Sequence, residues 1–440
     1  MNKTKIIPGV LFVLLFITFS LQAQNTDYKL DRAEQKKTID SIRVRLNTNY
    51  VFPDVATEMT DLIVKNFESG EYEAVTDPVE FANRLTEDLR SVSNDLHLSV
   101  QYAADRIARQ QQAVTDDQRD AWEEEYQENM RRNNYGFKEI KILTGNIGYL
   151  NLTGFSPAEF GGETASSAMN FLSNTDALII DLRRNGGGSP TMIQLISSYL
   201  FDAEPVHLNN FYYRPENENY QTWTLPHVPG KRNPDAEVYV LTSRSTFSAA
   251  EEFSYNLKNL ERATLIGEAT GGGAHPGGSQ IVTDKYMVWI PTGRAINPIT
   301  NTNWEGVGVK PHIEVTAEEA LLVAQVEALK ALKEKDPERE RYFDWQITGL
   351  KAQMKAVSLS EEDMRAYTGT YGDRVISLEE GRLYYRRGNR SKYELTPMGG
   401  HWFMLEDLDY FRIEFEMEDG AAAVLVGHYD NGSSDRDEKK

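Results

Sequence analysis

Ala177-Leu178-Ile179-Ile180-Asp181-Leu182-Arg183-Arg184-Asn185-Gly186-Gly187-Gly188 is a short apolar run that breaks into charge and then into three glycines. Six apolar or strand-compatible residues bounded by a glycine turn read as a strand buried on both faces. A helical pattern follows through Ile193, Leu195, Ile196 and Leu200. Further on come strand Val238–Leu241, helix Ala249–Leu260, strand Thr264–Ile266 and a second glycine turn at Gly271–Gly273. Strands alternating with helices predict an α/β core, a mainly parallel sheet with helices on both faces, over residues 142–315. Ligand crevices of such sheets lie beyond the carboxyl ends of the strands, where the glycine-rich and serine-rich segments fall.

Working outward, residues 27–97 predict an N-terminal helical bundle. Apolar residues recur at close to helical spacing through Ile39, Ile42, Val44 and Leu46, and again through Leu62, Ile63, Phe81, Leu85 and Leu89, with Pro53 and Pro78 as punctuation. Residues 98–141 read as a charged helical connector, since 104–134 lack a wide apolar face. Residues 316–358, rich in Ala, Leu, Glu and Lys, read as connecting helices. From 362 to 435, short runs such as Val375–Leu378, Leu383–Arg386 and Phe411–Phe415 are separated by Gly, Asp and Asn turns. This predicts a small antiparallel β domain.

Residues 1–23 have the three-part layout of a signal peptide: Lys3 and Lys5, the apolar run Val10–Phe19, then small residues Ser20 and Ala23. An uncleaved anchor would need about 20 apolar residues, more than this run offers. Export to the periplasm or medium is therefore expected, with no stable membrane insertion after cleavage. The chain has no cysteine, which excludes disulfides, thiolate metal sites and a cysteine nucleophile. A net charge of −20 disfavours nucleic acid and anionic membrane as partners. The scattered histidines show no metal-ligand spacing, so no metal and no cofactor are expected. Oligomeric state is not legible.

Four segments can carry chemistry. Ser248, in Thr246-Phe247-Ser248-Ala249-Ala250-Glu251, sits at a strand-to-helix turn, where its hydroxyl would be exposed beside first-turn amides. The same serine with Glu251 three residues on also makes a helix-capping box. Asn185-Gly186-Gly187-Gly188 lets backbone approach closely and, with the Ala249 amide, can form a two-donor oxyanion hole. It also reads as a simple strand-to-helix turn; a phosphate loop lacks its Gly-Lys-Ser/Thr. His97, in Asp95-Leu96-His97-Leu98, is either a base or a structural histidine. Glu305, after Trp304 and before Gly306-Val307-Gly308-Val309, is either an orienting carboxylate or an acid at a turn.

Together these blocks resemble the C-terminal processing (tail-specific) serine peptidases, in the branch shared with the tricorn core enzyme and interphotoreceptor retinoid-binding protein. The resemblance runs from about residue 35 to 315 and includes Gly267-Glu268-Ala269-Thr270-Gly271-Gly272 and Glu305-Gly306-Val307-Gly308-Val309-Lys310-Pro311. It implies a ClpP/crotonase-like core in which Ser248 attacks the scissile carbonyl and the Gly187 and Ala249 amides hold the oxyanion. Many members pair the serine with a lysine about 25 residues later in a Gly-Lys-Gly context. That place is Gly273 here, with no lysine until Lys285, so the usual dyad is ruled out. The tricorn-like branch implies His97 as general base and acid, with Glu305 orienting it. His275 is the alternative base. No room is left for the peptide-capturing PDZ module of the processing peptidases.

The expected function is an exported peptidase acting on peptides or unfolded proteins. A carrier of apolar ligands on the same fold would not need Ser, His, Glu and the glycines together. A small-acyl esterase would use the same machinery, although the Gly-x-Ser-x-Gly elbow is absent.

Overall fold

A computed structural model describes residues 28–440 apart from 112–115 and 356. The signal-peptide reading of residues 1–23 lies outside the described residues. The chain divides into two compact units, one built from residues up to 141, 149–174 and 180–317, the other from 142–148, 175–179 and 318–440.

The first unit begins with helices Arg32–Asn49, Pro53–Glu68 and Pro78–Ser93. Their starts are chemically specified. Asp31 caps the first by accepting from Glu34 N, and Asp77 caps the third by accepting from Val79 N and Glu80 N. Pro53 and Pro78 fill first-turn positions where a missing N–H costs nothing. Ile39, Ile42, Leu46, Ile63, Phe81, Leu85 and Leu89 form one buried core. An antiparallel sheet of Ser99–Tyr102, Tyr286–Pro291 and Gly277–Ile281 covers it. Alternate residues Tyr286, Val288 and Ile290 point into the bundle, as the period of a strand requires. The stretch read as a helical connector thus holds two strands, Ser99–Tyr102 and Phe137–Leu143, beside helices Ala104–Gln111 and Asp116–Arg132. The four residues of the first strand are too few to display a period, and only pairing with Tyr286–Pro291 makes them one.

The central sheet has six strands in the order Ile313–Glu314, Thr264–Gly267, Glu237–Thr242, Ala177–Asp181, Ile147–Leu152, Phe137–Leu143. Glu237–Thr242 and Thr264–Gly267 run parallel, as do Thr264–Gly267 and Ile313–Glu314. All five residues of Ala177–Asp181 are buried, which accounts for their unbroken apolar run. The α/β class expected from sequence is present, with its parallel-rich sheet and N-terminal helices. Two of the four segments singled out for chemistry, Asn185–Gly188 and Ser248, leave the carboxyl ends of the neighbouring strands Ala177–Asp181 and Glu237–Thr242.

In the second unit, helices Ala320–Lys335 and Glu340–Met354 precede eight antiparallel strands, each paired with the next in sequence from Gly369–Tyr371 to Ser434–Glu438. A bridge between Tyr371 and Lys439, with Lys440 N donating to Thr370 O at 2.9 Å, brings the last strand to the first and nearly closes a barrel. Tyr371, Ile376, Leu383, Phe403, Ile413, Phe415 and Leu425 fill its interior. Arg374 is fully buried beside this seam, paired with Asp435 at 2.5 Å and Asp437 at 3.0 Å. Replacing one member of a buried pair strands the others, but both aspartates keep some contact with water, so the cost is moderated. Arg374→Met is expected to remove roughly 2–4 kcal/mol from this unit. Hydrogen exchange should quicken at least tenfold at Gly369–Tyr371 and Ser434–Glu438; unchanged protection there would show that the pair does not hold the seam.

Candidate active site

Strand Glu237–Thr242 ends in a turn stitched to the end of its neighbour. Ser243 Oγ donates to Arg183 O at 2.6 Å, Thr246 Oγ1 to Leu182 O at 2.8 Å, and Phe247 N to Asn185 O at 3.0 Å. At the end of this turn Ser248 has φ +54° and ψ −121°, outside the left-handed helical basin open to some side chains. Such a backbone costs on the order of 1–3 kcal/mol and persists only where its surroundings over-determine it. Helix Ala249–Asn259 starts immediately after, so Ser248 stands at a helix N-terminus. The Ala249 amide has no intramolecular acceptor among the described residues.

Gly187 lies against this serine. A Cβ on Gly187 would sit 2.9 Å from Ser248 Cβ and 3.0 Å from Ala249 N, and φ +110° favours glycine independently. The structure therefore brings Gly187, Ser248 and Ala249 together. The Gly187 amide donates to Asn185 Oδ1 at 2.9 Å in this state. Asn185 itself is fully buried and anchored through Nδ2 to Leu152 O at 3.0 Å.

Glu251 is the functional residue that sequence reading assigned only to a cap. Fully buried, it accepts from Ser248 N (2.8 Å), Thr270 Oγ1 (2.5 Å), Gly272 N (2.6 Å) and Gly273 N (2.8 Å). Burial raises its pKa, and these four donors oppose the shift. One carboxylate thus joins the serine turn to the glycine loop. The Ser-x-x-Glu spacing was its signal, since the side chain does reach back to the Ser248 amide.

His97 follows Asn94, which ends helix Pro78–Ser93 in a left-handed conformation. Arg90 clamps the loop by donating to Leu98 O at 2.7 Å and Leu96 O at 2.6 Å. The His97 ring packs on Phe247, 4.7 Å between centroids, one residue before Ser248. Burial pushes the His97 pKa down to about 4, with Asp95 opposing and His275 and Arg90 adding to the fall. The ring is therefore neutral at neutral pH.

Glu305 is placed differently from the simple His97–Glu305 pair. Its Oε2 accepts from Ala274 N at 2.5 Å and lies 3.4 Å from His275 Nδ1. His275 Nδ1 is closer to Asp95 Oδ2, at 2.8 Å, and Asp95 also accepts from His97 N at 3.1 Å and Tyr50 Oη at 3.2 Å. His275 is buried, with the Phe52 ring 5.3 Å from its own. Burial and the Asp95 charge raise the Glu305 pKa, while His275 and nearby amides oppose. Two atoms here are buried without a partner among the described residues, His97 Nδ1 and Glu305 Oε1. Asp95, His275 and Glu305 have donor atoms within 4.8 Å of one another, a spacing that could seat a cation; as placed, His275 Nδ1 bonds Asp95 Oδ2 and lies 3.4 Å from Glu305 Oε2.

Removing the Glu251 carboxylate would leave two loop amides, the Thr270 hydroxyl and the Ser248 amide without their acceptor. Glu251→Ala is expected to cost roughly 2–4 kcal/mol. It should also cut labelling of the serine by a phosphonate at least tenfold at temperatures where the variant stays folded. Labelling at the parental rate would show that the carboxylate does not shape the site.

Residues 146–315 match the model of peptidase family S41, and residues 29–134 match the N-terminal domain of that family as found in eukaryotic IRBP. Among solved structures, the chain is similar to a candidate S41 protease of Bacteroides fragilis, at 23% identity and TM-score 0.38 over 42% of this chain and 52% of that one. It thus spans about half that protein's length. It is also similar to a lipoprotein from Streptococcus agalactiae (16% identity, TM-score 0.44, 68% and 96% covered). A candidate peptidase of Parabacteroides merdae gives 19% identity and TM-score 0.45, with 64% and 90% covered. The two domain matches, one over the central sheet and its glycine turns and one over the helical bundle, make this chain a serine-type peptidase of family S41.

Proposed function

We propose that the chain hydrolyses peptide bonds through Ser248, with His97 as general base and acid and Glu305 as the carboxylate that orients it. The observation that carries this reading is the strained backbone of Ser248, held at the start of a helix with Gly187 and Ala249 against it. His97 takes the hydroxyl proton as Ser248 Oγ attacks the carbonyl carbon, then returns it to the leaving amine; water repeats the cycle on the acyl-enzyme. His97 has the lowered pKa that keeps its lone pair available. Pairing its unpartnered Nδ1–H with the unpartnered Glu305 Oε1 would satisfy both buried atoms, which supports the triad. The Ala249 amide is the first oxyanion donor. The Gly187 amide becomes the second when the oxyanion replaces Asn185 Oδ1 as its acceptor.

The substrates proposed are peptides or unfolded proteins, as the match to a peptidase family supports. The lysines and apolar run of residues 1–23 support an exported enzyme, periplasmic or secreted. Among the described residues no helix is long and apolar enough to cross a membrane.

The decisive comparison is the chain against Ser248→Ala, with an active-serine phosphonate and an unfolded protein as substrate. Labelling and cleavage should both vanish in the variant, and His97→Ala should lower kcat/KM by roughly 10³-fold or more. Neither labelling nor cleavage in the folded parent would favour an apolar-ligand carrier.

The pH dependence separates the roles. His97 is already neutral, so the acid limb of kcat/KM belongs to Glu305, which ionises only above the ordinary carboxylate range. Activity should therefore rise with pH through a limb above about pH 4.5. Glu305→Gln should abolish that limb and lower kcat/KM by roughly 10²- to 10⁴-fold. An unchanged limb in the variant would remove Glu305 from the triad.

A further inference from the structure

A cavity of about 820 Å³ lies within the second unit, between helix Glu340–Met354 and the strands Lys392–Gly399, Trp402–Leu405 and Leu408–Glu418. Trp345, Met398 and Trp402 give it an apolar wall, and Trp402 is held by stacking on His428 at 4.3 Å. Arg412 lies on the same cavity and is only 6% exposed. Its guanidinium sits 4.0 Å from the centroid of the Trp345 ring and makes one hydrogen bond, from Nη2 to Trp345 O at 2.5 Å. A guanidinium carries five N–H donors and is rarely buried without an anion. No carboxylate lies within ion-pair distance of it among the described residues. Burial pushes its pKa down to about 10, which leaves it charged at neutral pH.

The rim repeats this imbalance. Lys351, Lys355 and Arg341 also line the cavity, and none is ion-paired among the described residues. The two acids of the rim, Glu340 and Asp344, are both taken by Lys333, at 2.7 and 2.8 Å. A chain of net charge −20 has thus gathered unpaired cations around an apolar-walled cavity.

We propose that this cavity is a binding site for an apolar carboxylic acid, its carboxylate on Arg412 and its apolar group against Trp345, Met398 and Trp402. Arginine suits a carboxylate because its fork gives two parallel hydrogen bonds. The tryptophans offer flat apolar area with little entropy to lose. Two sources share this chemistry: the C-terminal end of a peptide with an apolar last residue, and a small free aromatic acid.

The test uses the full chain carrying Ser248→Ala, so that no probe is hydrolysed, with titration calorimetry and tryptophan fluorescence as readouts. The probes are N-acetyl-Ala-Ala-Phe as free acid, the same tripeptide as its C-terminal amide, and 3-phenylpropionate. The acid should bind and change the fluorescence, and the amide should bind at least tenfold more weakly. Arg412→Met should weaken the acid at least tenfold. The exposed rim substitution Lys355→Glu, which disturbs no packing, should weaken it several-fold and more so at low salt. Tighter binding of the tripeptide than of phenylpropionate assigns the site to chain ends; equal binding assigns it to free acids. Acid and amide binding alike, no binding of any probe, or full affinity retained in Arg412→Met would overturn the proposal. If Arg412→Met fails to fold, the acid–amide comparison and Lys355→Glu still decide.

Discussion

A single buried carboxylate sets the geometry on which the serine site depends. Glu251 draws the Ser248 amide, the Thr270 hydroxyl and the Gly272 and Gly273 amides onto its two oxygens. Thr270 Oγ1 in turn accepts from Val309 N at 2.7 Å, and Trp304 Nε1 donates to Gly273 O at 2.8 Å. The segment bearing Glu305 is thereby fixed to the same loop. The desolvation of one anion is offset by four short bonds to backbone and hydroxyl, which is the condition under which a buried charge becomes tolerable.

That loop also leaves no room for a side chain beside His97. A Cβ on Gly273 would fall 2.3 Å from Phe247 Cζ and 2.6 Å from His97 Cε1. Any side chain at position 273 would therefore collide with the His97 imidazole and the Phe247 ring. Asp95 accepts from the His97 amide while bonded to the His275 ring and to Tyr50 Oη, so one buried carboxylate links the two histidine-bearing segments.

Much of this was legible in the residues. The apolar strand Ala177–Asp181 and the serine and glycine segments lead the eye to strand ends because burial on both faces writes an unbroken apolar run. Most of the barrel strands were legible through their turns, but Lys392–Gly399 and Ser434–Glu438 were not. Less was visible where partners are remote in sequence. Asp95 and His275 are 180 residues apart, and nothing local to either announces the contact. Glu251 looked like a cap because a helix start and an active-site brace impose the same spacing. Strand Ser99–Tyr102 exists only through its partner, and Asn185 hides its hold on the Gly187 amide inside a turn that glycine alone seems to explain.

The near-closed barrel carries a consequence for how its ordering cost is distributed. Seven of its pairings join strands adjacent in sequence, so each closes a short loop and the entropy lost at each step is small. The seam between Tyr371 and Lys439 is different, since it ties together the two ends of the domain. Because loop-closure entropy grows only with the logarithm of length, that contact is dearer than a hairpin by a modest amount. Arg374, reaching both Asp435 and Asp437, supplies attraction where chain connectivity supplies none. The domain is in this sense a ribbon of local hairpins with a single long-range clasp.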